Sequence, residues 1–182
     1  MESGPAFILK CLDRHLTGPG MVRLFGGAAL ILCYGRARQT EDADLLLDDA
    51  ECRALIDGAG FSEALEATNA ELNPRGMYLT HIVGPEQEVL APGWRDRCRR
   101  VALEGLRLLE VWSLGPIDLA LTKLGRGDEG DLDDIRYLVE SNQLAPRELR
   151  EAIAEAQVPE ELREVFVGAR QRVLALLDGL AQ

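Results

Sequence analysis

The sequence predicts an α+β fold: a mixed β-sheet with flanking helices over residues 1–115, then a helical C-terminal region over 116–182 packed on it. Three observations carry that prediction. Short apolar runs recur through the first part, at 21–25, 43–47, 77–83 and 106–112, each too short for a helix and bounded by turn-forming or polar residues. A glycine pair, Gly26-Gly27, joins the first run to a stretch of small apolar residues. From Pro116 onward apolar residues take helical spacing, and Glu alternates with Arg at helical intervals, as a solvated amphipathic face should.

The elements follow in order. Residues 5–16 carry Phe7, Ile8, Cys11 and Leu12 at helical intervals and stop before the Gly18-Pro19-Gly20 break. Residues 21–25 are a buried strand, Gly26-Gly27 its turn, and 28–34 a helix closed by Gly35. A strand over 43–47 leads to Asp48 or Asp49, either of which caps a helix running through Ile56 before Gly58 and Gly60 break the chain. Residues 61–76 carry no decisive pattern. The alternation of 77–83, with Tyr, Thr, Ile and Val, is that of a strand. Residues 85–99 form a loop centred on Pro92-Gly93-Trp94, and 106–112 a further strand. Helices then start at Pro116 and Leu132 and cover 146–156 and 161–180.

Composition narrows the function. The 47% hydrophobic and 28% charged residues are those of a folded globular chain, which excludes wholesale disorder. A net charge of −11 opposes sequence-independent binding to DNA or RNA, yet leaves room for a nucleotide brought in with a divalent cation. The four cysteines show no paired spacing and only His15 and His81 accompany them, which argues against a closed structural zinc site and for free thiols. Both histidines read as structural. The start, Met1-Glu2-Ser3-Gly4-Pro5, lacks the basic region of a signal peptide, and the apolar run over 24–34 is shorter than the ~20 residues of a membrane span. A cytoplasmic, soluble protein is expected.

Chemistry concentrates between Leu24 and Asp49. In a strand, Asp42 and Asp44 project to one face with Cα atoms roughly 6.5 Å apart, close enough to share one divalent cation or a pair of them. A strand–Gly-Gly–helix corner presents backbone N–H groups at a helix N-terminus, where phosphate is favoured. Two aspartates alone would read as strand-end polar residues; the glycine pair turns the reading towards phosphoryl or nucleotidyl transfer. The acidic run Asp128, Glu129, Asp131, Asp133, Asp134 lacks the order of a calcium loop and reads as helix capping, with Asp131 as N-cap and Asp134 three residues on. Trp94 with Arg95, Arg97, Arg99 and Arg100 reads as a structural loop.

Gly26-Gly27-x-Ala29, Arg36, Arg38 and Thr40-Glu41-Asp42-Ala43-Asp44 resemble the signature of the nucleotidyltransferase fold, the polymerase-beta-like superfamily, in its bacterial minimal and abortive-infection-type branch. "APGWRDRCRRV" (91–101) is similar to a Gly-Trp-x-x-Arg element of one subgroup, and "LGPIDLALTKLGRGDEGDLDDIRYL" (114–138) to the branch's element of Pro-x-Asp-Leu, Lys-Leu, Arg and Asp-x-x-Asp. The resemblance implies a nucleotidyltransferase-like sheet, with Gly26 and Gly27 on the triphosphate, Arg38 and Thr40 beside it, and Asp42 and Asp44 as ligands to Mg2+ or Mn2+. It further implies that Lys123 reaches the phosphates and that Arg126, Asp131 and Asp134 accompany it. Active members carry a third carboxylate on a neighbouring strand. Here Thr80 or His81 stands at that place, and Glu110 is the candidate substitute ligand.

Two functions follow. The first is a Mg–nucleoside triphosphate enzyme that moves a nucleoside monophosphate to a hydroxyl of a protein, RNA or small molecule, in a toxin–antitoxin or defence setting with an antitoxin or other protein partner. The alternative is a catalytically degenerate descendant serving as a binding or regulatory module. An aminoglycoside-type resistance transferase is a third, fainter option. None needs a membrane.

Overall fold

The computed structural model describes residues 3–46, 50–58, 60–79 and 82–180, and of 50–52 the backbone alone. In chain order the elements begin with helix α1 (Gly4–His15), strand β1 (Gly20–Phe25), helix α2 (Gly26–Tyr34) and strand β2 (Asp44–Leu46). Helices α3 (Ala50–Ile56) and α4 (Phe61–Leu72) follow, then strands β3 (Ile82–Val83), β4 (Arg99–Arg100) and β5 (Leu109–Ser113). Helices α5 (Pro116–Arg126), α6 (Glu129–Glu140), α7 (Pro146–Glu155) and α8 (Arg163–Leu180) complete the chain. The expected α+β class holds: a mixed sheet with helices, then a helical C-terminal part. Asp48, Asp49 and Leu47, named above as cap and strand end, lie outside the described residues, as do Thr80 and His81.

Contacts divide the chain into two compact units, Met1–Gly84 with Arg99–Ser113, and Pro85–Cys98 with Leu114–Gln182. In the first, the strands lie in the order β3-β2-β1-β5-β4. β1 runs parallel to β5, from Gly20 opposite Leu109 to Leu24 opposite Ser113, and antiparallel to β2, with Phe25 opposite Asp44. β2 is parallel to β3, and β4 antiparallel to β5. Leu24, Leu45, Val22 and Val111 are at most 2% exposed and share one face of the sheet, so burial of that face fixes the register.

Helix α1 starts at Ser3, whose extended backbone and side-chain acceptor for the Ala6 N–H make an N-cap, with Pro5 in the first turn. Its Asp13 carboxylate, 2% exposed, accepts the N–H groups of Arg107, Leu108 and Leu109 at 2.7–3.1 Å. Burial alone would raise its pKa; those donors and the Arg107 charge outweigh it and hold the carboxyl below the ordinary range. Because Arg107 and Leu108 give their N–H groups to Asp13, the last strand begins at Leu109 instead of residue 106.

The undecided stretch 61–76 is α4 followed by a 3₁₀ turn, Asn73–Arg75. Phe61, Ala64, Thr68 and Leu72 make its buried stripe against α1, and Thr68 satisfies its hydroxyl on the Ala64 carbonyl at 2.6 Å. Of the strand expected over 77–83, the described residues show Ile82–Val83 as strand and an isolated bridge from Tyr78 to Asp42. At Leu79 the Asn69 side-chain amide brackets the backbone at 2.8 and 3.0 Å, supplying what a neighbouring strand would have supplied. α2 begins at Gly26, two residues before its expected start.

In the second unit, α5 packs against α6, α7 and α8 around Leu119, Leu124, Ile135, Leu138, Leu149 and Val173, each at most 0% exposed. The segment 85–98, which the sequence reading left with the first part, groups here because Asp118 of α5 is fully buried and grips it. Arg97 donates twice to that carboxylate, at 2.8 and 2.9 Å, and Ala91 N–H adds a third bond at 3.2 Å. Gly115 lies so close that a Cβ would stand 2.7 Å from the Arg97 carbonyl oxygen. The expected cap of α6 is corrected: Asp128 is the N-cap, accepting the Asp131 N–H at 2.8 Å, and the helix starts at Glu129, not Leu132. Among the described residues no helix is long and apolar enough to cross a membrane.

Candidate functional site

The site is built where β1 ends. The chain leaves Phe25 and turns at Gly26, whose φ of +64° strains any residue with a Cβ. A Cβ there would also collide with the Asp44 Oδ2. The glycine is thus required twice, for the backbone angle and for the carboxylate lying against it. At Gly27 a Cβ would come within 3.3 Å of the Thr40 Oγ1 and 3.8 Å of an Arg38 terminal nitrogen. The diglycine turn therefore lies against Asp44, Thr40 and Arg38. The first turn of α2 has no side-chain cap and no acidic residue, leaving its positive dipole end uncompensated by its own side chains.

Pairing explains how the carboxylates arrive. Asp44 is the first residue of β2 and stands opposite Phe25, so the antiparallel register delivers it to the start of α2. It is 8% exposed. Asp42, two residues earlier, is half-buried and bridges to Tyr78. Thr40 donates its hydroxyl to Asp42 Oδ1 at 2.6 Å, and the Tyr78 phenol lies 3.5 Å from Oδ2. The Asp42 charge first, then burial and the hydrogen bond to Asp42, with Glu41 and Asp44 behind them, push the Tyr78 phenol above its ordinary pKa. A cavity of about 670 Å³ opens beside them, lined by Arg38, Thr40, Asp42, Arg75, Tyr78 and the N-terminal turn of α1.

The donor set fits a hard divalent cation. Two carboxylates supply oxygen ligands only, which suits Mg2+ or Mn2+, and the missing Cβ of Gly26 leaves the Asp44 oxygen room to face the turn.

The other expected residues have partners of their own. Glu110 does not join the pair: its register partner on β1 is Met21, four residues from Phe25, or roughly 13 Å along the strand. There it accepts from the Trp112 indole at 2.9 Å and meets Arg100 at 3.4 Å. Lys123 is 3% exposed, and its ammonium is held by Asp131 at 2.8 Å and Asp134 at 2.9 Å. Arg126 forks onto the same Asp131 at 2.8 and 3.2 Å. Burial raises the Asp131 carboxyl, but Arg126 and Lys123 together hold it below the ordinary range. Trp94 is buried, with Arg95 stacked 4.5 Å from its ring centroid, in keeping with a structural loop. Cys11, Cys33 and Cys98 are free thiols, as expected; Cys52 lies outside the described side chains.

Tyr78 and Arg75 were not singled out by the sequence. The signal for Tyr78 was present, since it belongs to the stretch expected to run beside the Asp42 strand. Arg75 had none, because only the packing of α4 on α1 carries it to the cavity.

No curated protein and no solved structure matches the chain. A family model described as "Nucleotidyltransferase of unknown function (DUF6036)" matches residues 9–167, which spans the diglycine turn, both aspartates and most of the C-terminal helices. The chain belongs to this nucleotidyltransferase family.

Proposed function

We propose that the protein binds a magnesium–nucleoside triphosphate in the hollow between the Gly26-Gly27 turn and Asp42/Asp44, and transfers the nucleoside monophosphate to an acceptor hydroxyl. One observation carries the reading: Gly26 lacks a Cβ where the Asp44 carboxylate lies, which sets that carboxylate against the phosphate-type turn. The N–H groups of the first turn of α2 and the Arg38 guanidinium face phosphate oxygens. Thr40 holds Asp42 in place through Oδ1, and a cation on Oδ2 would take the place of the long Tyr78 hydrogen bond. A cation bound by the two carboxylates supplies charge neutralisation at the triphosphate. The acceptor oxygen attacks the α-phosphorus, the bond to the β-phosphate oxygen breaks, pyrophosphate leaves, and the hydroxyl proton passes to a base. Lys123 takes no part at the phosphates in this reading, because two buried carboxylates hold its ammonium. The acceptor belongs to a protein, an RNA or a small molecule, and the resemblance to the abortive-infection-type branch supports a toxin–antitoxin or defence role with a protein partner.

Calorimetry with ATP, GTP, CTP and UTP in Mg2+ tests the binding. The expected result is one site for at least one nucleotide, lost with EDTA and in Asp44→Ala. Absence of heat for all four would refute it.

A second reading, a binding or regulatory module without turnover, is favoured by the displacement of Glu110 from the acidic pair. α-labelled nucleotide separates the two. Label transferred to an acceptor by the wild type and not by Asp44→Ala supports the enzyme. Binding without transfer supports the module.

A further inference from the structure

A second cluster lies on α1 and α4, at the opposite end of α1 from the turn that lines the cavity. Cys11 and His15 stand one helical turn apart on α1, on the same face, and Glu71 reaches them from the last turn of α4. One donor atom from each, a sulfur, an imidazole nitrogen and a carboxylate oxygen, lies within 4.8 Å of the other two. Tetrahedral coordination at ordinary bond lengths sets ligand atoms roughly 3.3–3.8 Å apart, so rotamer adjustments alone close the set.

A cation already sits among the three. The Arg14 guanidinium donates to Cys11 Sγ at 3.2 Å and to Glu71 Oε1 at 2.5 Å, while His15 Nε2 lies 3.3 Å from Glu71 Oε2. Arg14 is 47% exposed at its side chain, so it can swing into solvent and vacate the position. We propose that Cys11, His15 and Glu71 form a binding site for a thiophilic divalent cation of the zinc class, with Arg14 as the built-in competitor for that position. Three protein ligands leave one coordination position open, unlike a closed structural site.

The site differs in chemistry from the Asp42/Asp44 pair. Sulfur and imidazole select zinc-like ions, whereas an all-oxygen pair selects magnesium. Burial first, then the hydrogen bond and charge of Glu71, push the Cys11 thiol up to about 11, so the metal-free thiol is protonated and metal entry releases a proton. A bound ion would staple α1 to α4 and so brace the wall of the cavity to which Ser3, Gly4 and Arg75 contribute.

Cobalt titration of the full chain tests the proposal, because a Co2+–thiolate bond gives a near-ultraviolet charge-transfer band that oxygen ligation does not. The expected result is one equivalent bound with that band, and zinc displacing it. The band disappears in Cys11→Ser. In Glu71→Gln and His15→Ala, changes at partly exposed side chains that leave the fold intact, affinity falls by more than the roughly 10–100-fold that outer-shell partners command. Arg14→Gln binds more tightly than wild type, and Asp44→Ala keeps the band. Absence of the band in wild type overturns the proposal, and so does a band that survives both Cys11→Ser and Glu71→Gln.

Discussion

Gly26 is the residue on which the site turns, because backbone angle and side-chain crowding act there together. Gly26→Ala is expected to lose about 1–2 kcal/mol from the left-handed backbone alone, with displacement of Asp44 added to it. Urea midpoints should show that loss, and nucleotide binding should vanish with it. Gly27→Ala is the control. Its helix propensity gains up to about 1 kcal/mol, which offsets crowding against Thr40, so stability should hold while Mg–nucleotide affinity falls. An unchanged affinity would show that Thr40 does not support Asp42. Tyr78 offers a spectroscopic handle. The Asp42 charge raises its phenol, so a cation on Asp42 and Asp44 should bring the phenolate titration to lower pH. A Tyr78 absorbance titration that Mg2+ leaves unmoved would mean that the ion binds elsewhere.

At the scale of elements, the second unit rests on Asp118 as the first rests on Asp13. Each is a buried carboxylate on a helix that organises a segment from another part of the chain. Removing one partner of a buried pair strands the other charge. Arg97→Ala is therefore expected to destabilise by about 2–3 kcal/mol, less than the roughly 3–5 kcal/mol of a fully buried pair because Arg97 is 30% exposed, and Arg97→Lys to restore only part. Denaturant unfolding measures both. The elements themselves were legible where local chemistry is strong: α1 from its apolar spacing, α5 from Pro116, α2 from Gly35 as its αL stop. They were illegible where a distant side chain ends a strand. Asn69 takes the backbone groups of Leu79 and Asp13 delays the start of β5, and Asp13 stands more than ninety residues from that strand in the chain.

For the whole molecule the clearest consequence is the response to acid. Asp13 and Asp131 are both held below the ordinary carboxyl range. Above about pH 4, where unfolded aspartates are ionised, the stability they contribute is complete, and it is lost as pH falls through their lower folded values. Urea midpoints should change little from pH 7 to 5 and fall steeply below 4, with a shallower fall in Asp13→Asn. A flat profile down to pH 3 would remove both carboxylates from the account. The charge of −11 predicts no gel shift of non-specific duplex DNA at physiological salt.

By itself the sequence determined the fold class and the family, because strand length, helical spacing and the pattern from Gly26 to Asp44 are local properties of the chain. It also singled out Asp42 and Asp44 as a candidate pair, since a spacing of two in extended backbone needs no knowledge of the remainder. Tertiary structure decided which partners the other candidate charges meet. Glu110 shares the sheet but stands at the far end of its register, Lys123 is enclosed by two aspartates, and Glu71 crosses to Cys11 from another helix. Those outcomes depend on registers and helix contacts that only burial of the shared core selects.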